Sequence, residues 1–108
     1  MAEVDEEHQG CDAAVTLAFS VLGKRWNGMI LATLGSGPST FAALRRAVGG
    51  ISDTMLSDRL AELADAGLVA RTVDPGPPVT VSYALTPSGD GLLPILNQLG
   101  QWASANLA

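Results

Sequence analysis

Histidine and cysteine are almost missing from this chain: there is one of each, His8 and Cys11, in 108 residues. One cysteine excludes an internal disulfide framework. A single histidine in an acidic stretch lacks the companions that a metal centre or a general-base pair requires, and is read as solvated. No apolar run approaches the roughly 20 residues that span a bilayer. Residues Met1 to Glu7 carry no basic region and no apolar segment of the kind that opens a secretory signal. Basic residues are also scarce. There are six (Lys24, Arg25, Arg45, Arg46, Arg59, Arg71), and none lies outside the stretch from Lys24 to Arg71. These absences predict a cytoplasmic protein with no membrane partner, no metal and no cofactor. With no nucleophile, base or metal cluster, they also predict that the chain is not an enzyme.

What is present is the composition of one globular domain. Hydrophobic residues make up 47% of the chain and the net charge is −5. The charge is uneven. Met1 to Ser20 holds five acids and no base, Val21 to Leu85 holds the six bases against five acids, and only Asp90 follows. A core of this size is modest, so association of two copies would bury further apolar surface.

The periodicity gives a sequence of helices. Residues 1–10 read as a mobile acidic tail. A first helix is expected from about Asp12 to Leu22, with Val15, Ala18, Phe19 and Leu22 as its apolar stripe and Gly23 as its break. A second is expected from Lys24 to about Leu34, with Trp26, Met29, Ile30 and Leu34 on one face. Asn27-Gly28 would signal a hairpin between strands, but its flanks have helical period. Gly35-Ser36-Gly37-Pro38 is a stop. Ser39 or Thr40 then caps a third helix that turns Phe41, Leu44 and Val48 inward. Gly49-Gly50 makes a sharp turn. Ser52 caps a fourth helix that buries Leu56, Leu60 and Leu63 and ends near Ala66.

Strand period follows. Val79, Val81, Tyr83 and Leu85 alternate with small or polar residues, and Leu68 to Val73 supplies the partner strand around a tip at Asp74 to Pro78. Thr86-Pro87 opens a last helix, about 86–105, with Leu92, Ile95, Leu96, Leu99 and Trp102 along one seam and Pro94 inside it. Three helices and a hairpin in this order are the layout of an α+β, mainly α, winged helix-turn-helix. Residues 11–108 then form one such domain, the wing falls at about 68–85, and the N- and C-terminal helices are dimerisation elements.

That layout places the N-terminal half of the fourth helix against base edges in a major groove. Its outward residues are expected to be Ser52, Thr54, Met55, Ser57 and Arg59, with Thr40, Arg45 and Arg46 on neighbouring phosphates and Pro77 at the wing tip. Arginine can grip guanine through two hydrogen bonds, hydroxyls serve either partner, and a thioether can touch a thymine methyl. Against this stands the plainer reading that Arg59 pairs with Glu62 or Asp58 on a solvated face. The acids Asp53 and Asp58 near phosphates reduce affinity, so few phosphate contacts and a shallow salt dependence are expected.

Several segments together resemble the HxlR-type winged-helix regulators, a branch near the MarR-like regulators. They are Leu22-Gly23-Lys24-Arg25-Trp26, Gly50-Ile51-Ser52 with Met55-Leu56, Arg59-Leu60 with Glu62-Leu63, Gly67-Leu68-Val69 with Arg71, and Tyr83 with Leu85-Thr86. The run Ala18 to Gly28 is most similar to a subgroup that senses quinones and other electrophiles through one cysteine before the first helix. The resemblance implies a homodimeric, sequence-specific repressor on double-stranded DNA with a near-palindromic operator. It also implies Cys11 as a sensor of a small electrophile or oxidant. A lone cysteine is otherwise a small inert apolar residue. A thiol at a helix N-terminus is favoured as thiolate, but Glu6, Glu7 and Asp12 oppose this. Two alternatives stay open: a regulator gated by a small molecule with no role for the cysteine, and a winged helix used for protein contacts.

Overall fold

The computed structural model describes residues 2–108, with side chains described from Asp12 onward. Its elements are α1 (Ala2–Leu22), α2 (Asn27–Leu34), β1 (Ser39–Thr40), α3 (Phe41–Val48), α4 (Asp53–Asp65), β2 (Val69–Asp74), β3 (Thr80–Leu85) and α5 (Pro87–Asn106). α1 begins well before the Asp12 start marked by the apolar stripe. Ala2, Glu3, Glu6 and Glu7 are tolerant of helix, and acids suit its positive N-terminal end. From Ala2 the backbone of the expected mobile tail is part of α1, while the side chains up to residue 11, His8 and Cys11 among them, lie outside the described residues.

The core is built by the three central helices. Ile30, Leu31 and Leu34 of α2 meet Leu44 and Val48 of α3, Ile51 of the turn, Leu56, Leu60 and Leu63 of α4, and Val69 of β2. Each fully buried aliphatic side chain contributes on the order of 1.5–3 kcal/mol. Here α2 departs from its expected start and face. Lys24 to Trp26 form a turn, and Trp26 has φ 83°, an uncommon conformation for a bulky residue. That turn rotates the helix so that Asn27 and Leu31 go inward while Met29 stays half exposed. Trp26 packs on the edge of the core, with the Arg25 guanidinium 4.4 Å from its ring centre.

Caps define the next two helices. The Thr40 hydroxyl accepts from the Ala43 amide at 3.2 Å, and the Ser52 hydroxyl from the Met55 amide at 3.1 Å. Between them Gly49 and Gly50 have φ 66° and 79°, where a side chain would strain the backbone. α4 closes with the Leu68 amide on the Leu63 carbonyl at 3.0 Å and the Gly67 amide on Ala64 at 3.0 Å.

The sheet has three strands, not two. β3 lies between β1 and β2, antiparallel to both, with Ser39 opposite Tyr83, Arg71 opposite Tyr83 and Val69 opposite Leu85. β1 is too short to carry a period in the sequence, so only its pairing reveals it. Beyond the core the hairpin projects, leaving Val73 and Val79 exposed.

α5 is stitched to the exit of α4 by one residue. The Thr86 hydroxyl donates to the Gly67 carbonyl at 2.6 Å and accepts from the Gly89 amide at 3.2 Å, while its backbone amide donates to the Leu68 carbonyl at 3.0 Å. Gly89 is buried against that carbonyl, with no room for a Cβ. The seam expected on α5 divides in two. Leu92 and Leu96 pack on the core, whereas Ile95, Leu99 and Trp102 face outward, Trp102 being 54% exposed. α1 behaves likewise: Val21 and Leu22 pack inward, while Val15, Leu17 and Phe19 (53% exposed) do not.

Candidate nucleic-acid interface

The apolar side of α4 is anchored by Leu56, Leu60 and Leu63, which leaves Ser52, Asp53, Thr54, Ser57 and Asp58 exposed on the other side. This surface is short, polar and rich in hydroxyls. Ser52 spends its acceptor on the cap, and its O–H remains able to donate. Thr54 and Ser57 carry no hydrogen bond among the described residues and can present both donor and acceptor to base edges.

Two of the residues expected to point outward do not. Met55 is half-buried and packs against the core, because Ser52 as N-cap sets the phase of the helix and turns position 55 toward Leu56's side. Arg59 is 17% exposed at its side chain. Its Nε donates to the Arg25 carbonyl at 3.2 Å and its Nη1 meets Glu62 Oε1 at 2.9 Å. Arg59 pairs with Glu62, as the plainer reading had it, but from a largely covered position and not on a solvated face: it ties the α1–α2 turn to α4 and meets a turn carbonyl that has no helical partner.

The neighbouring cations are also partly committed. Arg45 Nη1 contacts Asp53 Oδ1 at 2.9 Å across the helix-turn-helix, with both groups half exposed. Such a pair is worth about 0–1 kcal/mol and can reopen toward a phosphate. Arg46 is exposed and carries no ion pair among the described residues, so it is the cation beside α4 most available to a phosphate. Thr40 is exposed but serves as the cap of α3. Pro77 sits at the wing tip beyond β2 and is exposed; there Asp74 Oδ1 accepts from the Gly76 amide at 3.0 Å and folds the loop.

Glu62 lies behind this surface. Its Oε2 meets Lys24 Nζ at 3.0 Å. Lys24 first, with a smaller contribution from Arg59, holds its carboxyl below the ordinary range against a lesser opposing effect of desolvation. Asp58, expected only to weaken phosphate contacts, stands exposed between Thr54 and the helix C-terminus, where a carboxylate can accept from the cytosine amino group. Its position one residue from Ser57 on a three-to-four spacing from Thr54 is the signal that would have found it. Among the described residues no group of His, Cys, Asp and Glu is arranged to hold a metal ion, and no helix is long and apolar enough to cross a membrane.

Similarity to known proteins covers most of the chain. The pattern of the HxlR-like helix-turn-helix family matches residues 21–108. The HTH-type transcriptional regulator YodB of Bacillus subtilis is 43% identical over 86 residues, 80% of this chain and 77% of YodB. The solved structure of reduced YodB superposes with a TM-score of 0.78 at 41% identity, covering 84% of this chain and 89% of that one. A quinone-bound form of YodB gives 0.76 at 36% identity, over 86% and 98%. The redox regulator HypR in its oxidised form gives 0.80 at 33% identity, over 86% and 96%. The matched helices, turn and wing are those that place α4, and the chain belongs to the HxlR-like helix-turn-helix family.

Proposed function

We propose that this chain is a DNA-binding transcriptional regulator, a repressor that acts in the cytoplasm as a homodimer on a near-palindromic operator. The observation that carries this reading is α4: it is held rigidly by three buried leucines and two caps, and offers Thr54, Ser57 and Asp58 to the outside. Two copies related by a two-fold axis reach half-sites about 34 Å apart. Ile95, Leu99 and Trp102 of α5, continued by Val15 and Phe19 of α1, supply the apolar surface for pairing. Ser52, Thr54 and Ser57 read bases, while Arg46, an opened Arg45, Thr40 and the Pro77 loop meet the backbone. Met55 and Arg59 support the helix from behind.

A footprint on the promoter of its own or an adjacent gene tests the reading. Protection of two half-sites one turn apart is expected, weakened in a Thr54→Ala/Ser57→Ala variant; the absence of any protected duplex defeats it. Because few cations are free, log K against log salt is expected to fall with a slope of about −4 or shallower.

Regulation is proposed to run through Cys11. Support comes from the relatives, one solved with a quinone bound and one described as a redox regulator. With a single cysteine per chain, the product is an adduct, a mixed disulfide or a bridge between subunits. The bridge needs the two Cα atoms within about 7 Å. A Cys11→Ser variant is expected to keep its DNA when treated with a quinone or diamide. Full release from that variant favours a second reading, gating by a bound small molecule. An apolar cavity of about 180 Å³ lined by Ala18, Val21, Leu22, Leu68 and Leu92 supports it.

A further inference from the structure

Asp53 is the first residue of α4 and the acid of its first turn. Arg45 lies in the last turn of α3. Each charge sits at the helix end whose dipole favours it, and the two ends converge on the pair at 2.9 Å. The contact uses one nitrogen and one oxygen, Arg45 Nη1 and Asp53 Oδ1. Asp53 Oδ2 carries no hydrogen bond among the described residues. The two side chains are 50% and 64% exposed, so either can exchange its partner at little cost.

Docking of α4 changes the surroundings of both groups. A backbone phosphate competes with Asp53 for the Arg45 guanidinium. Once Arg45 has left, Asp53 is an acceptor-only group at the start of the reading helix, the part of such a helix that lies nearest base edges. A carboxylate left unpaired there, partly dehydrated and beside phosphates, is costly. Only two base edges donate in the major groove, cytosine through N4 and adenine through N6. Adenine sets its N7 acceptor beside N6, and guanine and thymine present acceptors, so cytosine is the base that satisfies a carboxylate.

We infer that Asp53 is a specificity-determining residue that demands a cytosine amino group opposite the start of α4, and that its ion pair with Arg45 is the resting contact which the two exchange for cytosine and phosphate on the operator. This rests on the DNA-binding role proposed above. Thr54 and Ser57 act differently, because a hydroxyl both donates and accepts and so tolerates several bases. Asp53 discriminates by penalty: the wrong base leaves its charge without a partner.

Selection of bound duplexes from a randomised pool by the full chain tests this, comparing wild type, Asp53→Asn and Arg45→Gln. With wild type, one position in each half-site is expected to be cytosine, and replacing that base to cost about tenfold or more in affinity. Asp53→Asn is expected to move the position to adenine, whose N6 and N7 fit a carboxamide, and to leave the other positions alone. Arg45→Gln is expected to keep the cytosine and to make the slope of log K against log salt on the selected duplex shallower by about 0.9. A purely supporting role for Asp53 gives weaker binding by Asp53→Asn at unchanged sequence preference, and that result overturns the inference alone. An unchanged salt slope for Arg45→Gln also overturns it, since Arg45 then stays on Asp53 in the complex. A pool from which wild type enriches no sequence overturns the DNA-binding reading as well.

Discussion

The central helices and the flanking helices use the same residue types to opposite ends. In α2, α3 and α4 the leucines and isoleucines point at one another and disappear: Ile30, Leu44, Leu56 and Leu63 have no exposed surface. In α1 and α5 the inner row is half-buried against that core, but a second row (Phe19, Ile95, Leu99, Trp102) stays in the open. An apolar row left uncovered on each of two helices is the kind of surface that suits the second copy proposed above. The difference separates two tasks. The central helices bury their apolar rows within the chain, whereas the flanking pair keeps one row open for the partner proposed above.

That separation can be broken most forcefully at the outer row. Replacing both Leu99 and Trp102 with glutamate is expected to give monomers by light scattering. Duplex affinity should fall about a hundredfold or more, because each half-site then binds alone. An unchanged mass in solution would reject the seam. The inner row should behave in the converse way. Leu60→Ala is expected to lower unfolding stability by about 2–5 kcal/mol in denaturant titration, with the dimer contacts untouched. Arg59 sharpens the boundary between reading and support. Arg59→Ala should destabilise the DNA-free protein by about 0.5–1.5 kcal/mol, the net worth of its hydrogen bond to the Arg25 carbonyl, which water can reach once the side chain is gone. A loss of DNA affinity at unchanged stability would instead return this side chain to the groove. The smallest effect concerns acid. The folded Glu62 carboxyl titrates below its unfolded value of about 4.3, so its contribution is complete above that pH and disappears as pH falls through the lower folded value. Wild type should exceed Glu62→Gln in stability near neutrality, and the gap should close on acidification below about pH 4.

Much of this was legible from spacing. Ser52, Thr40 and Thr86 announced three helix starts because a hydroxyl before an apolar period has a single local use. Gly49-Gly50 and the alternation Val79 to Leu85 fixed the turn and the wing. What escaped depended on partners distant in the chain. β1 exists only through Tyr83 and Ser82. Arg59 turns inward because of a carbonyl 34 residues away. The face of α2 is set by the left-handed Trp26, a conformation that no propensity assigns to tryptophan. The burial of Asn27 was equally hidden, since the residue read as one half of a turn signal. Leu92 and Leu96 shared a stripe with Ile95 and Leu99, and only packing could divide that stripe into an inner and an outer half.

One threonine carries a mechanical consequence. Thr86 bonds both to the backbone leaving α4 and to the first turn of α5, so no slack segment separates the helix proposed to read DNA from the helix proposed to pair two copies. In the proposed dimer, a few degrees of tilt between protomers are then not absorbed in a joint. They are converted into travel at the opposite end of the lever, and the separation of the two probes becomes a readout of the angle at which the subunits meet.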